Sequence, residues 1–197
     1  LDGLFTASWS PTSERLAFIG NKGNSSDVYL YDLLTKQLTN LTNDIFSDSE
    51  PAWNPDGTEI AFISDRGFKG YGVGKPGMEE FEIYDHEFFQ TDVYIINVKS
   101  KLIQRVTNTE YNENYPIWMN GAKVLFYTAD HKGVWNIIHH DLKTDKVMSI
   151  TNVLTGIQQL SLSKNDQMMV FSGYNKGGWD IYSLASPGSL PEKQVSP

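Results

Sequence analysis

The sequence predicts an all-β protein made of four similar units, because it repeats itself at a fixed spacing and shows no sustained helical periodicity. Three columns of matching residues carry the repeat: Trp9, Trp53, Trp118 and Leu162; Asp27, Asp92, Asn136 and Asp180; Thr42, Thr107 and Thr151. Neighbouring members of a column stand 44 or 65 residues apart. Four units of 44 residues, with 21 extra residues in the second unit, therefore account for all 197 residues.

Each unit is expected to contain four strands. The first is centred on the tryptophan column, and a turn such as Asn54-Pro55-Asp56-Gly57 follows it, since proline and glycine suit turn geometry. The second strand is expected at residues 16–19, 60–63, 124–127 and 169–172, and the third at 28–31, 93–96, 137–140 and 181–184. The fourth ends at the threonine column, although in the last unit only residues 194–196 could be a remnant of it.

A four-stranded repeat of this length is typical of a β-propeller blade. The blades are expected at about residues 1–44, 45–109 (with an insertion at 68–90), 110–153 and 154–197. They form either a single propeller domain or part of a larger propeller with six or more blades. Four phenylalanines of the second strands are expected to fill the space between sheets: Phe18, Phe62, Phe126 and Phe171.

The composition excludes several classes of function. Acidic residues outnumber basic ones by 24 to 16, and a net charge of -8 argues against nucleic-acid binding. The absence of cysteine excludes disulfides, cysteine zinc sites and cysteine nucleophiles. No apolar run is long enough to span a membrane.

One repeat carries a motif that is specific for a family. Residues 51–57 read Pro-Ala-Trp-Asn-Pro-Asp-Gly, and Ile60-Ala61-Phe62, Ser64-Asp65-Arg66-Gly67, Asp92-Val93-Tyr94 and Val106-Thr107 follow in order. This series resembles the TolB-type propeller repeat, also called the WD40-like PD40 repeat, with Asn54 in place of the usual serine. The resemblance covers nearly the whole chain, and its motif residues are turn and core positions.

The resemblance has implications for location and partners. TolB-type proteins are periplasmic, and TolB partners the Pal lipoprotein in the Tol–Pal system through a six-bladed propeller. The repeat also occurs in tricorn-type proteases, and related propellers gate prolyl-oligopeptidase-type peptidases. A periplasmic or cell-surface protein with a protein or peptide partner is therefore expected.

No catalytic motif is found in the sequence: there is no G-x-S-x-G elbow, no P-loop, no dinucleotide fingerprint and no H-E-x-x-H. Consecutive strand residues point to opposite faces, so His139 and His140 cannot both bind one metal ion. The Asp27, Asp92, Asn136 and Asp180 column is expected to bind nearby backbone N–H groups. We therefore expect no cofactor and no metal.

The insertion at residues 68–90 is a candidate site of function, because long insertions into repeats often carry it. The alternative is a solvated surface loop, or one that packs its aromatic residues on its own blade. It starts glycine-rich and becomes acidic and aromatic. It should lie on the same side as the connections between blades, which are acidic. The candidate partner-binding residues are Tyr84, His86, Phe88 and Phe89 of the insertion, with Asp48, Glu50, Glu110 and Glu113 of the connections.

The sequence favours a noncatalytic scaffold that binds a protein or peptide. The alternative is a substrate-gating propeller of a prolyl-oligopeptidase-type or tricorn-type peptidase, whose catalytic domain would lie outside this chain. A third hypothesis, a carbohydrate-active or metal-dependent enzyme, requires His131, His139 and His140 to converge.

Overall fold

The computed structural model describes residues 1–67 and 87–195. The fold is an all-β propeller of antiparallel blades, as the repeat predicts. The chain forms two compact units, Leu1–Glu110 and Tyr111–Pro197, and each contains two blades. Among the described residues, no helix has the length and apolar character needed to cross a membrane.

Unit 1 contains blades 1 and 2, and each is a four-stranded sheet in which consecutive strands pair. The strands of blade 1 are β1 (Gly3–Trp9), β2 (Arg15–Lys22), β3 (Ser25–Asp32) and β4 (Leu38–Asn40). Those of blade 2 are β5 (Asp48–Trp53), β6 (Glu59–Ser64), β7 (Asp92–Asn97) and β8 (Ile103–Arg105). The insertion falls between β6 and β7, where the extra residues of the repeat place it.

Unit 2 contains blades 3 and 4. Blade 3 has the strands β9 (Glu113–Trp118), β10 (Val124–Ala129), β11 (Asn136–Asp141) and β12 (Lys146–Ser149). Blade 4 has β13 (Ile157–Leu162), β14 (Met168–Asn175) and β15 (Gly178–Ala185). Within the described residues blade 4 has no fourth strand. After a short 3-10 turn at Pro187–Ser189, Lys193 instead donates its backbone N–H to the Ser149 carbonyl on β12.

The aspartate and threonine columns form one hydrogen-bonding module that joins the third and fourth strands of blades 1 to 3. In blade 3, Asn136 accepts hydrogen bonds from the Thr151 hydroxyl and the Val153 N–H, at 2.9 Å each. Thr151 in turn accepts the N–H of Ile137. The equivalent bonds recur around the other members: Asp27 with Thr42 and Asp44, and Asp92 with Thr107. Asp27, Asp92 and Asn136 therefore have the local, structural role that the sequence predicts for the column, whereas Asp180 of blade 4 is exposed.

A β-bulge interrupts the first strand of every blade, and the sequence gives no sign of it. The register against the second strand shifts at the same place each time. One residue there has a positive φ: Thr6, Glu50, Tyr115 and Gln159. None is glycine or asparagine, so composition does not reveal the left-handed backbone. Because the bulge recurs in all four blades, it belongs to the architecture of the repeat.

Neighbouring blades pack through two different faces, which we call the leading and the trailing face. In unit 1, the leading face of blade 2 carries Ile60, Phe62, Tyr94 and Ile96. It packs against the trailing face of blade 1, which carries Ala17, Ile19, Val28 and Leu41. In unit 2, the trailing face of blade 3, with Phe126, Ile137 and Ile150, packs in the same sense against Met169 and Phe171 of blade 4.

The sequence placed the second strand of blade 3 one residue too early. Leu125, not Val124, pairs with Trp118, as Ile60 pairs with Trp53. Tyr127 therefore takes the position of Phe62, and Phe126 takes that of Ala61 on the trailing face. Hydrophobic patterning cannot detect this shift, because all six residues of β10 are buried and neither face is marked by polar residues.

We predict that replacing Asn136 by alanine lowers the free energy of unfolding by about 1–3 kcal/mol, because buried donors and acceptors lose their partners. Asp180→Ala is the matched control: it occupies the same column in blade 4 but is exposed, so we expect a change within about 0.5 kcal/mol. Urea unfolding measures both. Equal losses would contradict the assigned role of the module.

Candidate functional site

The loop face of unit 1 is the edge at which β5 and β7 begin and β6 and β8 end. The antiparallel register places Asp48 opposite Ser64 and Ser64 opposite Asp92. Three segments therefore meet at this edge: the connection at residues 43–47, the ends of the loop between β6 and β7, and the connection that starts at residue 106. Loops on a rigid sheet scaffold are where binding residues are usually found.

Arg66 anchors the loop face from inside. Its side chain is completely buried. One guanidinium nitrogen donates to Asp44 at 2.5 Å, and the other donates to both carboxylate oxygens of Asp48, at 3.1 and 3.2 Å. Because Asp44 lies in the connection at residues 43–47 and Asp48 directly follows it, the arginine ties that connection to the end of β6. Such charge-assisted bonds are among the stronger ones in proteins.

Aromatic rings complete the surroundings of Arg66. The guanidinium carbon lies 5.2 Å from the centroid of the Phe46 ring, 5.6 Å from that of Phe62 and 6.0 Å from that of Tyr94. These distances are within the range of cation–π attraction. The ion pair is thus surrounded by hydrocarbon and shielded from water. This strengthens the attraction between the opposite charges, and removing one of them would leave the other buried without a partner, at a high cost in free energy.

The cluster holds one positive group against two carboxylates, and this affects Asp48 most. Burial raises the pKa of Asp48 to about 7; the nearby Asp44 adds to the rise, and Arg66 opposes it. Burial likewise works against the charge on Arg66, but the two carboxylates outweigh it and keep the pKa of Arg66 above its usual value. Asp48 can therefore keep a proton in the folded protein at a pH where the unfolded chain has lost it.

A polar recess of about 520 Å³ opens beside this cluster. Its lining comes from the β2–β3 turn, the third and fourth strands of blade 1 and the following connection: Lys22, Ser25, Asp27, Tyr29, Asn40, Asn43, Asp44 and Ile45. Hydrogen bonds within the protein already occupy part of this polar lining, because Asp27 accepts bonds from Asn40, Thr42 and the Asp44 N–H. The recess adds polar surface to the loop face without a preformed set of metal ligands.

The base of the insertion presents aromatic surface. Phe88 is 53% exposed and Phe89 is 92% exposed, in a turn closed by a bond from the Gln90 N–H to the Glu87 carbonyl. The side chain of Gln90 donates to the Thr109 carbonyl at 3.3 Å. That bond ties the turn to the connection after blade 2, so two exposed phenylalanines are held on an anchored stretch of chain.

The other candidate residues differ in accessibility. Glu110 is exposed and Glu50 is half-buried on its bulge, so both are accessible on unit 1. Asp48 is buried against Arg66, and Glu113 of unit 2 is buried at 1% exposure, so neither offers a surface charge. Tyr84 and His86 lie outside the described residues. Of the four acidic residues predicted from sequence to bind a partner, two are therefore accessible, Glu50 and Glu110.

The three histidines that the structure describes do not converge on a shared site. His139 lies edge-on to Phe126, whereas His140 lies edge-on to Tyr127 on the opposite face and bonds Asp145 through Nε2 at 2.9 Å. His131 stacks edge-on against Tyr111 at 4.6 Å. In the described part of the chain, no group of three or more histidine, aspartate or glutamate side chains could hold a metal ion. The requirement of the metal-enzyme hypothesis is not met.

Arg66 was missed as a site residue, although it is in the motif that carries the family resemblance. Arg66 directly follows Ser64-Asp65 in blade 2. The equivalent residues in the other blades are Lys22, His131 and Asn175. Because the four equivalents differ in size and charge, the repeat gives no consensus that marks this position. Only the structure shows that the arginine is inside.

Comparison with known proteins supports the repeat and the fold. No protein-family model matches the chain. It is 29% identical to the Tol-Pal system protein TolB of Francisella tularensis over 134 residues, which are 68% of this chain and 26% of that protein. It is 23% identical to dipeptidyl-peptidase 5 of Porphyromonas gingivalis over 180 residues, which are 85% of this chain and 23% of that protein.

Among solved structures, TolB from Acinetobacter baumannii superposes with a TM-score of 0.71 over 96% of this chain and 42% of that one, at 16% identity. The chain is therefore a TolB-like β-propeller. It spans about a quarter of the length of the two curated relatives.

We predict that Asp48 makes the stability of unit 1 depend on pH. Its folded pKa of about 7 lies above the unfolded value of about 3.9, so its contribution is complete below that lower value and is lost as the pH rises towards 7. Asp48→Asn cannot titrate. The stability of the wild type relative to this variant should therefore fall from pH 4 to pH 7, by at most about 1.4 kcal/mol per pH unit.

Urea unfolding of the wild type and Asp48→Asn at a series of pH values measures this difference. Asp166→Asn is the control, since Asp166 is a buried aspartate that belongs to unit 2. A difference between the wild type and Asp48→Asn that stays constant or grows with pH would be inconsistent with a raised pKa.

Proposed function

We propose that this TolB-like propeller is a noncatalytic scaffold that binds a protein or peptide partner through the loop face of unit 1 and the insertion at residues 68–90. The observation that carries the proposal is the pair Phe88 and Phe89, exposed at 53% and 92% on a turn anchored through Gln90. Aromatic residues supply large contact area with few rotatable bonds, and they are enriched in protein interfaces.

The charge of the chain supports a partner that carries positive groups. The net charge is -8, and exposed carboxylates adjoin the anchored turn in sequence: Glu87 precedes Phe88, and Glu110 follows Thr109. Long-range attraction of this kind accelerates encounter and weakens as salt screens it. Glu50 and the polar recess extend the surface, whereas the buried Asp48 supports it from beneath through Arg66.

The likeness to TolB of the Tol-Pal system suggests the class of partner. A Pal-type lipoprotein is the first candidate, and the location would then be periplasmic or cell-surface. The proposed surface needs no cofactor and no metal.

The likeness to dipeptidyl-peptidase 5 favours a second candidate function, a propeller that gates substrates for a peptidase. Its catalytic domain would lie outside this chain. The reading frame that encodes the chain decides this version: a G-x-S-x-G segment after residue 197 supports it, and a complete frame without one refutes it.

Binding of purified, lipid-free Pal protein from Francisella tularensis to the immobilised chain tests the scaffold proposal. We predict saturable binding that weakens at least about tenfold in the double variant Phe88→Ala/Phe89→Ala, since truncating an aromatic hot spot costs more than about 1.4 kcal/mol. Binding should also weaken with added salt. Biolayer interferometry gives the Kd in each case.

The matched control is Leu34→Ala/Leu154→Ala, which truncates two side chains of similar exposure, 74% and 78%, in turns outside the proposed surface. Its Kd should equal that of the wild type. Loss of affinity in both double variants, or an unchanged Kd in the phenylalanine variant, would remove the insertion base from the binding surface. Absence of binding by the wild type would refute a Pal-type partner.

A further inference from the structure

The connection at residues 43–47 is held in place by carboxylates. Three of its backbone N–H groups donate to carboxylate oxygens, at 2.8 to 3.1 Å: Asp44 to Asp27, Phe46 to the side chain of Asp44, and Ser47 to Asp65. Hydrogen bonds to ionised acceptors are stronger than those between neutral groups. The position of this backbone therefore depends on the charges around it.

Asp44 joins the backbone of the connection to the buried arginine. One oxygen of its carboxylate accepts the Phe46 N–H at 3.0 Å, and the other accepts the Arg66 guanidinium at 2.5 Å. The side chain of Asp44 is 14% exposed, whereas those of Arg66 and Asp48 are 0% exposed. Of these three residues, Asp44 is thus the one that reaches water. A movement of Asp44 towards water would displace Phe46, whose ring lies over the arginine at 5.2 Å.

The charges in the cluster of Arg66, Asp44 and Asp48 do not balance. Two carboxylates share a single guanidinium. The neighbouring Asp92 and Arg105 pair with each other at 2.6 Å, so they add no net charge. With both aspartates of the cluster ionised, one negative charge is in excess, and a proton on Asp48 removes that excess. A buried charge without a partner is costly, so the closed arrangement favours the protonated form.

The surroundings of Asp48 favour this proton from several sides. Burial raises the pKa of Asp48 to about 7, and the nearby Asp44 adds to the rise. Burial also raises the pKa of Tyr94, so its hydroxyl stays neutral. The titratable and charged groups on the elements packed around Asp48 are Asp27 on β3, Asp44 in the connection, Arg66 after β6, Asp92 and Tyr94 on β7, and Arg105 on β8.

We propose that the connection at residues 43–47 is a pH-sensitive switch, which closes over Arg66 when Asp48 holds a proton and opens when that proton leaves. Moving Asp44 into water removes the excess charge and leaves a neutral pair of Arg66 and Asp48 inside. The open form therefore binds the proton less tightly than the closed form, and a rise in pH populates it. Opening removes Asp44 and Ile45 from the lining of the polar recess, so the loop face changes shape across neutral pH.

Amide hydrogen exchange of the whole chain at pH 5 and pH 8, corrected for the chemical exchange rate at each pH, tests the switch. We expect the protection of residues 43–47 to be at least about tenfold lower at pH 8, since a pKa difference of one unit between the closed and open forms changes their ratio about tenfold. The connection at residues 152–156 contains no ionisable side chain and should show no such change.

Two variants remove the switch in different ways. Asp48→Asn stays neutral at every pH, and Asp44→Asn takes the second carboxylate away from Arg66. In either variant the protection of residues 43–47 should differ by less than about twofold between pH 5 and pH 8. Asp166→Asn, at a buried aspartate of unit 2, should keep the change seen in the wild type. Thermal melting by circular dichroism checks that each variant is folded.

Low concentrations of urea separate opening of the connection from unfolding of unit 1. A local opening exposes little surface, so urea should leave exchange at residues 43–47 unchanged while it accelerates exchange in β6. Equal protection at pH 5 and pH 8 would overturn the proposal, as would a tenfold change that persists in Asp48→Asn. Equal acceleration by urea at residues 43–47 and in β6 would overturn it as well. The measurement needs no partner, so its result is independent of the proposed function.

Discussion

Arg66 is the largest side chain that the described part of the chain buries completely, and unit 1 depends on how its charge is satisfied. An unpaired guanidinium would be too costly at this depth, so Asp44 and Asp48 must lie where its two terminal nitrogens point. That requirement fixes the connection at residues 43–47 against the end of β6. The loop face is thus shaped from inside by a buried ion pair.

A second constraint acts on the blades themselves. A sheet with two apolar faces is most stable when both are buried, and within each unit the trailing face of the first blade covers the leading face of the second. The motif residues of the repeat serve packing and the aspartate–threonine module, so the loops are the part of each blade that is free to carry binding residues. This division explains why the motif that identifies the TolB-like repeat says much about the fold and little about the partner.

Much of the fold could be predicted from sequence because each blade repeats the same physical solution. The columns of matching residues predicted the positions of the strands and the structural role of the Asp27 column. The register of β10 could not be predicted, since a strand buried on both faces carries no alternation. The burial of Arg66 and Asp48 depends on contacts across 18 and 22 residues, which no local pattern encodes. The sequence drew attention to Phe88 and Phe89 because the insertion holds more aromatic residues than a solvated loop usually does, and the structure leaves both side chains exposed.

Hydrogen exchange at residues 43–48 in the double variant Arg66→Met/Asp48→Asn tests most directly whether the buried ion pair holds the loop face. This variant leaves no buried charge without a partner, since Asp44 is partly exposed. The account predicts that these amides exchange at least about tenfold faster than in the wild type, equivalent to about 1.4 kcal/mol of lost local stability, while residues 152–156 of unit 2 are unaffected. Unchanged exchange at residues 43–48, or the same acceleration in both connections, would contradict it.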